Sequence, residues 1–143
     1  MRRIALFLSL AALAMVIMSC GGATEKKTAE TTQTEVAETA KVMVYYFHSK
    51  QRCKTCLTIQ EVAGNTIAEN FAENKDVKFV EIDYSEKANE AIAEKYEIAN
   101  SSLIVVSGDD FVNLTDVAFA NALRNPDVLK ETLIAEVNNY LNQ

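Results

Sequence analysis

The sequence predicts an α/β domain built on a mixed four-stranded sheet flanked by helices, and three observations predict it. From residue 41 onward, segments with strand patterning alternate with segments of helical patterning, which implies parallel pairing through helical crossovers. A hairpin signal at Gly108-Asp109-Asp110 follows and supplies antiparallel strands. The composition, 49% hydrophobic and 24% charged with four Gly and one Pro in 143 residues, suits one globular domain with long uninterrupted elements. The expected order is strand, helix, strand, helix, strand, strand, helix.

Ahead of that domain, Arg2 and Arg3 precede an uncharged run from Ile4 to Ser19 and then Cys20, the pattern of a secretory signal. The run falls short of the roughly 20 residues that cross a bilayer, so residues 1–19 read as a cleaved leader. Ile17-Met18-Ser19-Cys20-Gly21 resembles the lipobox of bacterial lipoproteins, which implies lipidation at Cys20, export, and a lipid-anchored place in a bacterial cell envelope. Gly21 to Ala40 is rich in Thr, Glu, Ala and Lys with almost no large apolar side chain, too little to offset the entropy of ordering. Residues 20–40 therefore read as the lipidated cysteine and a disordered tether, and residues 41–143 as the folded domain.

Val42 to His48, V-M-V-Y-Y-F-H, is an apolar run suited to a strand buried on both faces. From Lys54 the period becomes helical, with Cys56, Ile59, Ala63, Ile67 and Phe71 on one face and Gly64 a weak point. Val77 to Asp83 alternates as a second strand, and Glu86 to Tyr96 reads as a second helix with Ala88, Ala91, Ile92 and Tyr96 inward. Leu103 to Ser107 and Phe111 to Thr115 form the hairpin strands. Asp116 to Pro126 reads as a long connection. The last helix starts with Asn125 as its cap and Pro126 in the first turn, and it buries Leu129, Leu133, Val137, Tyr140 and Leu141.

Twenty acidic against 14 basic side chains give a net charge of −6, leaving no cationic surplus for a phosphate backbone, so nucleic acid is not an expected partner. Three Cys and one His would make a four-ligand structural zinc site only if all four converged, and their positions argue against that. The chemistry concentrates in H-S-K-Q-R-C-K-T-C, which puts Cys53 at the start of the first helix and Cys56 within its first turn. Unpaired N–H groups at that terminus favour a thiolate at Cys53, and the two-residue spacer lets the sulfurs close a ring that exchange can reopen. An inert stabilising disulfide is the plain alternative, but so small a loop removes little freedom from the unfolded chain. Lys50, Arg52 and Lys54 either steer an anionic substrate such as an arsonate or form a solvated face. Tyr45, Tyr46 and Phe47 are expected in the core, with one tyrosine reaching the site.

The run Val42 to Cys56 and the strand-helix order after it resemble the thioredoxin-like superfamily. More narrowly, Tyr46-Phe47-His48, Arg52-Cys53-Lys54-Thr55-Cys56, Ser101-Ser102-Leu103, Thr115 to Ala122 and Asn125-Pro126 look like bacterial thioredoxin-like lipoproteins labelled as subunits of a nitrophenyl-compound nitroreductase and linked to arsenic-resistance operons. The resemblance implies a thioredoxin-like fold and a thiol-disulfide oxidoreductase without a bound cofactor. It implies Cys53 as the attacking and Cys56 as the resolving thiol, with electrons delivered to a nitroaromatic-arsenical reduction. The implied partners are a protein or small-molecule disulfide or thiol, and a membrane through the lipid on Cys20.

Departures from ordinary thioredoxins refine these expectations. Arg52 replaces the Trp before the first Cys, and Lys54-Thr55 replaces a Gly-Pro spacer. Tyr45-Tyr46-Phe47 stands where a buried Asp would relay protons, which makes His48 the candidate for proton transfer, against a simple packing role. Ser102 occupies the place of the cis-proline facing the cysteines. A cis bond before a non-proline costs roughly 3 kcal/mol or more, so a trans peptide and an altered substrate dock at Arg52, Ser101 and Ser102 are expected. From a different functional class, the reduced pair would serve as a dithiol binding module for arsenic(III), copper(I) or zinc, or the domain would be a non-catalytic interaction subunit.

Overall fold

Strand β1 (Val42–His48) is the axis of the structure, a computed structural model that describes residues 40–143. The expected leader, the lipidation site at Cys20 and the tether up to residue 39 lie outside the described residues. Helix α1 (Lys54–Asn70) follows β1, then β2 (Val77–Asp83), a 3-10 turn at Lys87–Asn89, α2 (Glu90–Lys95), β3 (Ser102–Ser107), β4 (Asp110–Asn113), α3 (Thr115–Asn121) and α4 (Pro126–Leu141). The sheet order is β2-β1-β3-β4. β1 runs parallel to β2, in register from Val42 opposite Val77 to His48 opposite Asp83, and antiparallel to β3. This is the mixed four-stranded α/β sheet flanked by helices that the sequence predicts.

The interior position of β1 explains why its first six residues are all buried. Alternate side chains serve opposite faces. Val42, Val44 and Tyr46 join one cluster with Ile59, Ala63, Ala118, Leu129, Leu133 and Val137, so α1, α3 and α4 cover that face. Met43, Tyr45 and Phe47 join the other with Ile82, Tyr96, Ile104 and Val106, closed by the α2 region.

Several boundaries differ from the sequence expectation, each for a local reason. The turn between β3 and β4 is two residues, Gly108-Asp109, because Ser107 pairs with Asp110; Gly108 takes the left-handed φ of 60° that such tight hairpins require. β4 ends at Asn113 and not at Thr115, since the Asn113 Oδ1 accepts the Thr115 N–H at 2.9 Å and the Thr115 hydroxyl accepts the Leu103 N–H at 3.1 Å. Side chains thereby replace the ladder and turn the chain. The segment expected as a connection holds α3, whose inward residues Ala118 and Ala122 follow Leu114 at four-residue spacing. Asn125 occupies the cap position of α4 without a side-chain cap bond, because its own carbonyl takes the Val128 N–H at 3.0 Å.

The helix expected over Glu86–Tyr96 is shorter and rotated. Asn89 donates from its side-chain amide to the Asp83 carbonyl at 2.9 Å, which ties the 3-10 turn to the end of β2 and resets the phase of the helix. Ala88 and Ala91 are consequently exposed and Ala93 is buried, while Ile92 and Tyr96 face inward as expected. The helix ends in a Schellman arrangement: the Ile98 N–H reaches the Ala93 carbonyl at 2.8 Å and Glu97 that of Glu94 at 3.1 Å, with Glu97 at φ 54°.

Candidate functional site

β1 delivers the chain to the loop and first helical turn that carry Cys53 and Cys56. Cys53 is the N-cap of α1, in extended backbone at φ −79° and ψ 164°, and its Sγ accepts the Cys56 N–H at 3.1 Å. A sulfur thus does what a Ser or Asp oxygen usually does at this position, and it does so better as a thiolate than as a thiol. Cys53 and Cys56 are joined in a disulfide with their Cα atoms 5.1 Å apart. Their surroundings differ: Cys53 is exposed, whereas Cys56 is 7% exposed and lies on the inward stripe of α1 with Ile59 and Ala63.

Beneath this turn lies Tyr46, fully buried, whose hydroxyl donates to the Cys56 carbonyl at 2.7 Å. It is the tyrosine of β1 that reaches the site. The Arg52 guanidinium lies over its ring, 5.8 Å from the centroid. Arg52 Nη2 donates to Gln60 Oε1, and Gln60 Nε2 donates in turn to Glu81 Oε2. The Arg52 Nε is buried with no hydrogen-bond partner among the described residues. Burial pushes the Tyr46 phenol above its ordinary 10.0, against the lowering influence of Arg52 and Ser101, so it is a neutral donor at physiological pH.

The remaining candidates are distributed around Tyr46. Ser101 is half-buried and close enough to act on the phenol. Ser102 lies opposite Phe47 in the sheet, buried, with its hydroxyl donating to the Asn100 carbonyl at 2.9 Å; it also lines an open groove of about 470 Å³ with Asn100, Asn113 and Asp116. His48 places its ring centroid 6.1 Å from that of Tyr46. Its Nδ1 lies 3.1 Å from the Ser49 carbonyl, which can only accept, so Nδ1 is the donor in that contact. The three cations of the loop do not act together. Lys50 pairs with Glu86 at 2.6 Å, Lys54 is exposed, and Arg52 turns inward.

A second open groove, of about 500 Å³, runs between α1 and β2 past Leu57, Gln60, Phe79 and Glu81. Gly64 belongs to its wall for a packing reason, because a Cβ there would stand 3.3 Å from the Phe79 ring. Gln60 and Glu81 were not among the residues singled out from sequence. The signal was present: Gln60 lies one helical turn after Cys56, and Glu81 is the polar member of the β2 face that carries Val77 and Phe79. Among the described residues, no group of three or more His, Cys, Asp or Glu is placed to hold a metal ion.

No protein-family model and no curated protein matches the chain. Among solved structures, the chain is similar to the oxidised form of mitochondrial thioredoxin 3 from Saccharomyces cerevisiae, at 19% identity and a TM-score of 0.46, over 68% of this chain and 80% of that one. It is also similar to a structure of a malarial protein, at 22% identity and a TM-score of 0.35, over 56% of this chain and 93% of that one. Similarity to the zinc-bound form of human ERp44, at 22% identity and a TM-score of 0.43, extends over 55% of this chain and spans only 22% of the ERp44 chain.

Proposed function

We propose that the domain is a thiol-disulfide oxidoreductase that exchanges electrons through Cys53 with a protein or small-molecule thiol. The observation that carries this reading is the asymmetry of the pair, an exposed sulfur at a helix N-terminus beside a buried one. An incoming thiolate attacks the Cys53 sulfur; the Cys53–Cys56 bond breaks, and Cys56 leaves as a thiolate that takes up a proton. A second thiolate then attacks the mixed disulfide on its outer sulfur, releasing the oxidised partner and Cys53 as a thiolate. Two thiols have become one disulfide, and the domain holds two electrons more. In the reverse direction Cys53 attacks and Cys56 resolves.

The first-turn N–H groups of α1 stabilise Cys53 as leaving or attacking thiolate. His48 Nε2 serves as the candidate proton carrier, while Arg52, Ser101 and Ser102 are the candidate substrate contacts. The chemistry needs no bound cofactor. On the resemblance of the motifs alone, the reading extends to a lipid-anchored protein of the cell envelope, tethered through Cys20, that delivers electrons to a nitroaromatic-arsenical reduction. The test is reduction of a model protein disulfide by the purified chain. Cys53→Ser is expected to abolish turnover and Cys56→Ser to accumulate a mixed disulfide; undiminished turnover by Cys53→Ser refutes the assignment.

A further inference from the structure

We propose that Gln60 and Glu81 are positioning residues for the redox pair, holding the Arg52 cation between the start of α1 and strands β1 and β2, where it favours the thiolates of the reduced state. The inference rests on the thiol-exchange reading above. An arginine in a loop at a helix start would ordinarily extend into water, as Lys50 does with a side chain 70% exposed. Arg52 instead folds inward onto the Tyr46 ring and leaves its Nε buried without a partner. Something must hold it there, since burying an unpaired donor is unfavourable.

The chain Arg52–Gln60–Glu81 provides the hold. Its polarity is fixed by its ends: a guanidinium can only donate and a carboxylate can only accept, so the Gln60 amide must point its oxygen to Arg52 and its nitrogen to Glu81. The interposed amide also separates the opposite charges. A direct Arg–Glu pair would cancel much of the field of the cation, whereas a neutral spacer anchors the guanidinium and leaves its charge to act on neighbouring groups. The chain meets the redox turn at two points, because Gln60 lies one turn beyond Cys56 on α1 and the ring under Arg52 belongs to Tyr46, which bonds the Cys56 carbonyl.

The decisive measurement is the equilibrium constant for reducing the Cys53–Cys56 disulfide by two glutathione thiols, giving the dithiol and one glutathione disulfide, at neutral pH in the full chain. Gln60→Met keeps length, helix propensity and net charge, and leaves Lys50, Lys54, His48, Asp83 and Glu86 around the turn unaltered. It is expected to make the pair harder to reduce by roughly threefold to tenfold, the effect of weakening a charge interaction of up to about one pKa unit. In an Arg52→Gln background the same change is expected to have no effect. Glu81→Gln is the second variant: its side-chain oxygen can still accept from Gln60, so the hold persists while a negative charge is lost, and the pair is expected to become easier to reduce. A relay that only braces α1 against β2 would lower the urea midpoint of Gln60→Met and move the glutathione equilibrium in neither variant. An unchanged constant in Gln60→Met, or the same change with and without Arg52, overturns the inference and leaves the exchange reading standing. A wild-type pair that does not exchange with glutathione overturns both.

Discussion

Tyr46 joins more of the site than any other single side chain, through its hydroxyl to the Cys56 carbonyl, its ring to Arg52, and its proximity to Ser101. Tyr46→Phe keeps the buried ring and removes one hydrogen bond, leaving a buried carbonyl with one partner fewer. The expected cost is about 1–2 kcal/mol, read as a lower urea midpoint at an unchanged slope. The sequence placed Tyr46 in the core and anticipated a tyrosine reaching the site, because a strand buried on both faces has no exposed position for a phenol to occupy. The partner chain of Arg52 was not anticipated. Gln60 and Glu81 are 21 residues apart; the place of each on its own element is legible in the sequence, but the register in which α1 packs over β2 and brings them together is not.

Among the elements, α2 carries the clearest unrelieved conformational cost. Glu97 adopts φ 54° to end the helix, a conformation that carries a steric penalty for a side chain bearing Cβ and none for glycine. Glu97→Gly is expected to stabilise the domain by about 1 kcal/mol, measured by thermal or urea unfolding; a loss of stability would contradict the assignment of the cap. Strong patterns were legible in the sequence here: β1, α1, β2, β3 and the stripe of α4 stand where their periodicity put them. α3 escaped because its inward positions, Leu114, Ala118 and Ala122, are mostly small, and alanine contributes little apolar contrast on a helix face. The phase of α2 escaped because it is set by a tertiary bond, Asn89 to the Asp83 carbonyl, which no propensity encodes.

For the whole molecule, burial of tyrosines on both faces of the sheet makes stability depend on alkaline pH. Burial raises the phenols of Tyr45 and Tyr46 above 10.0. Their neutral forms are favoured in the folded state, so the stabilisation is fully present below the unfolded value and is lost as pH rises from there through the folded values. Urea unfolding at about pH 9 and about pH 11 is expected to show lower stability at the higher pH, with tyrosinate absorbance appearing together with unfolding; titration of all phenols at their free value in the folded state would contradict it.

β1 contributes to both apolar clusters, three side chains to each. Withdrawing that strand would dissolve the two together, so neither half of the domain has an independent folded state to fall back on. Opening of the molecule is therefore expected to be concerted. The sulfur of Cys53, exposed at the start of α1, is reachable without any such opening, so the proposed thiol exchange would proceed while the interior stays shut.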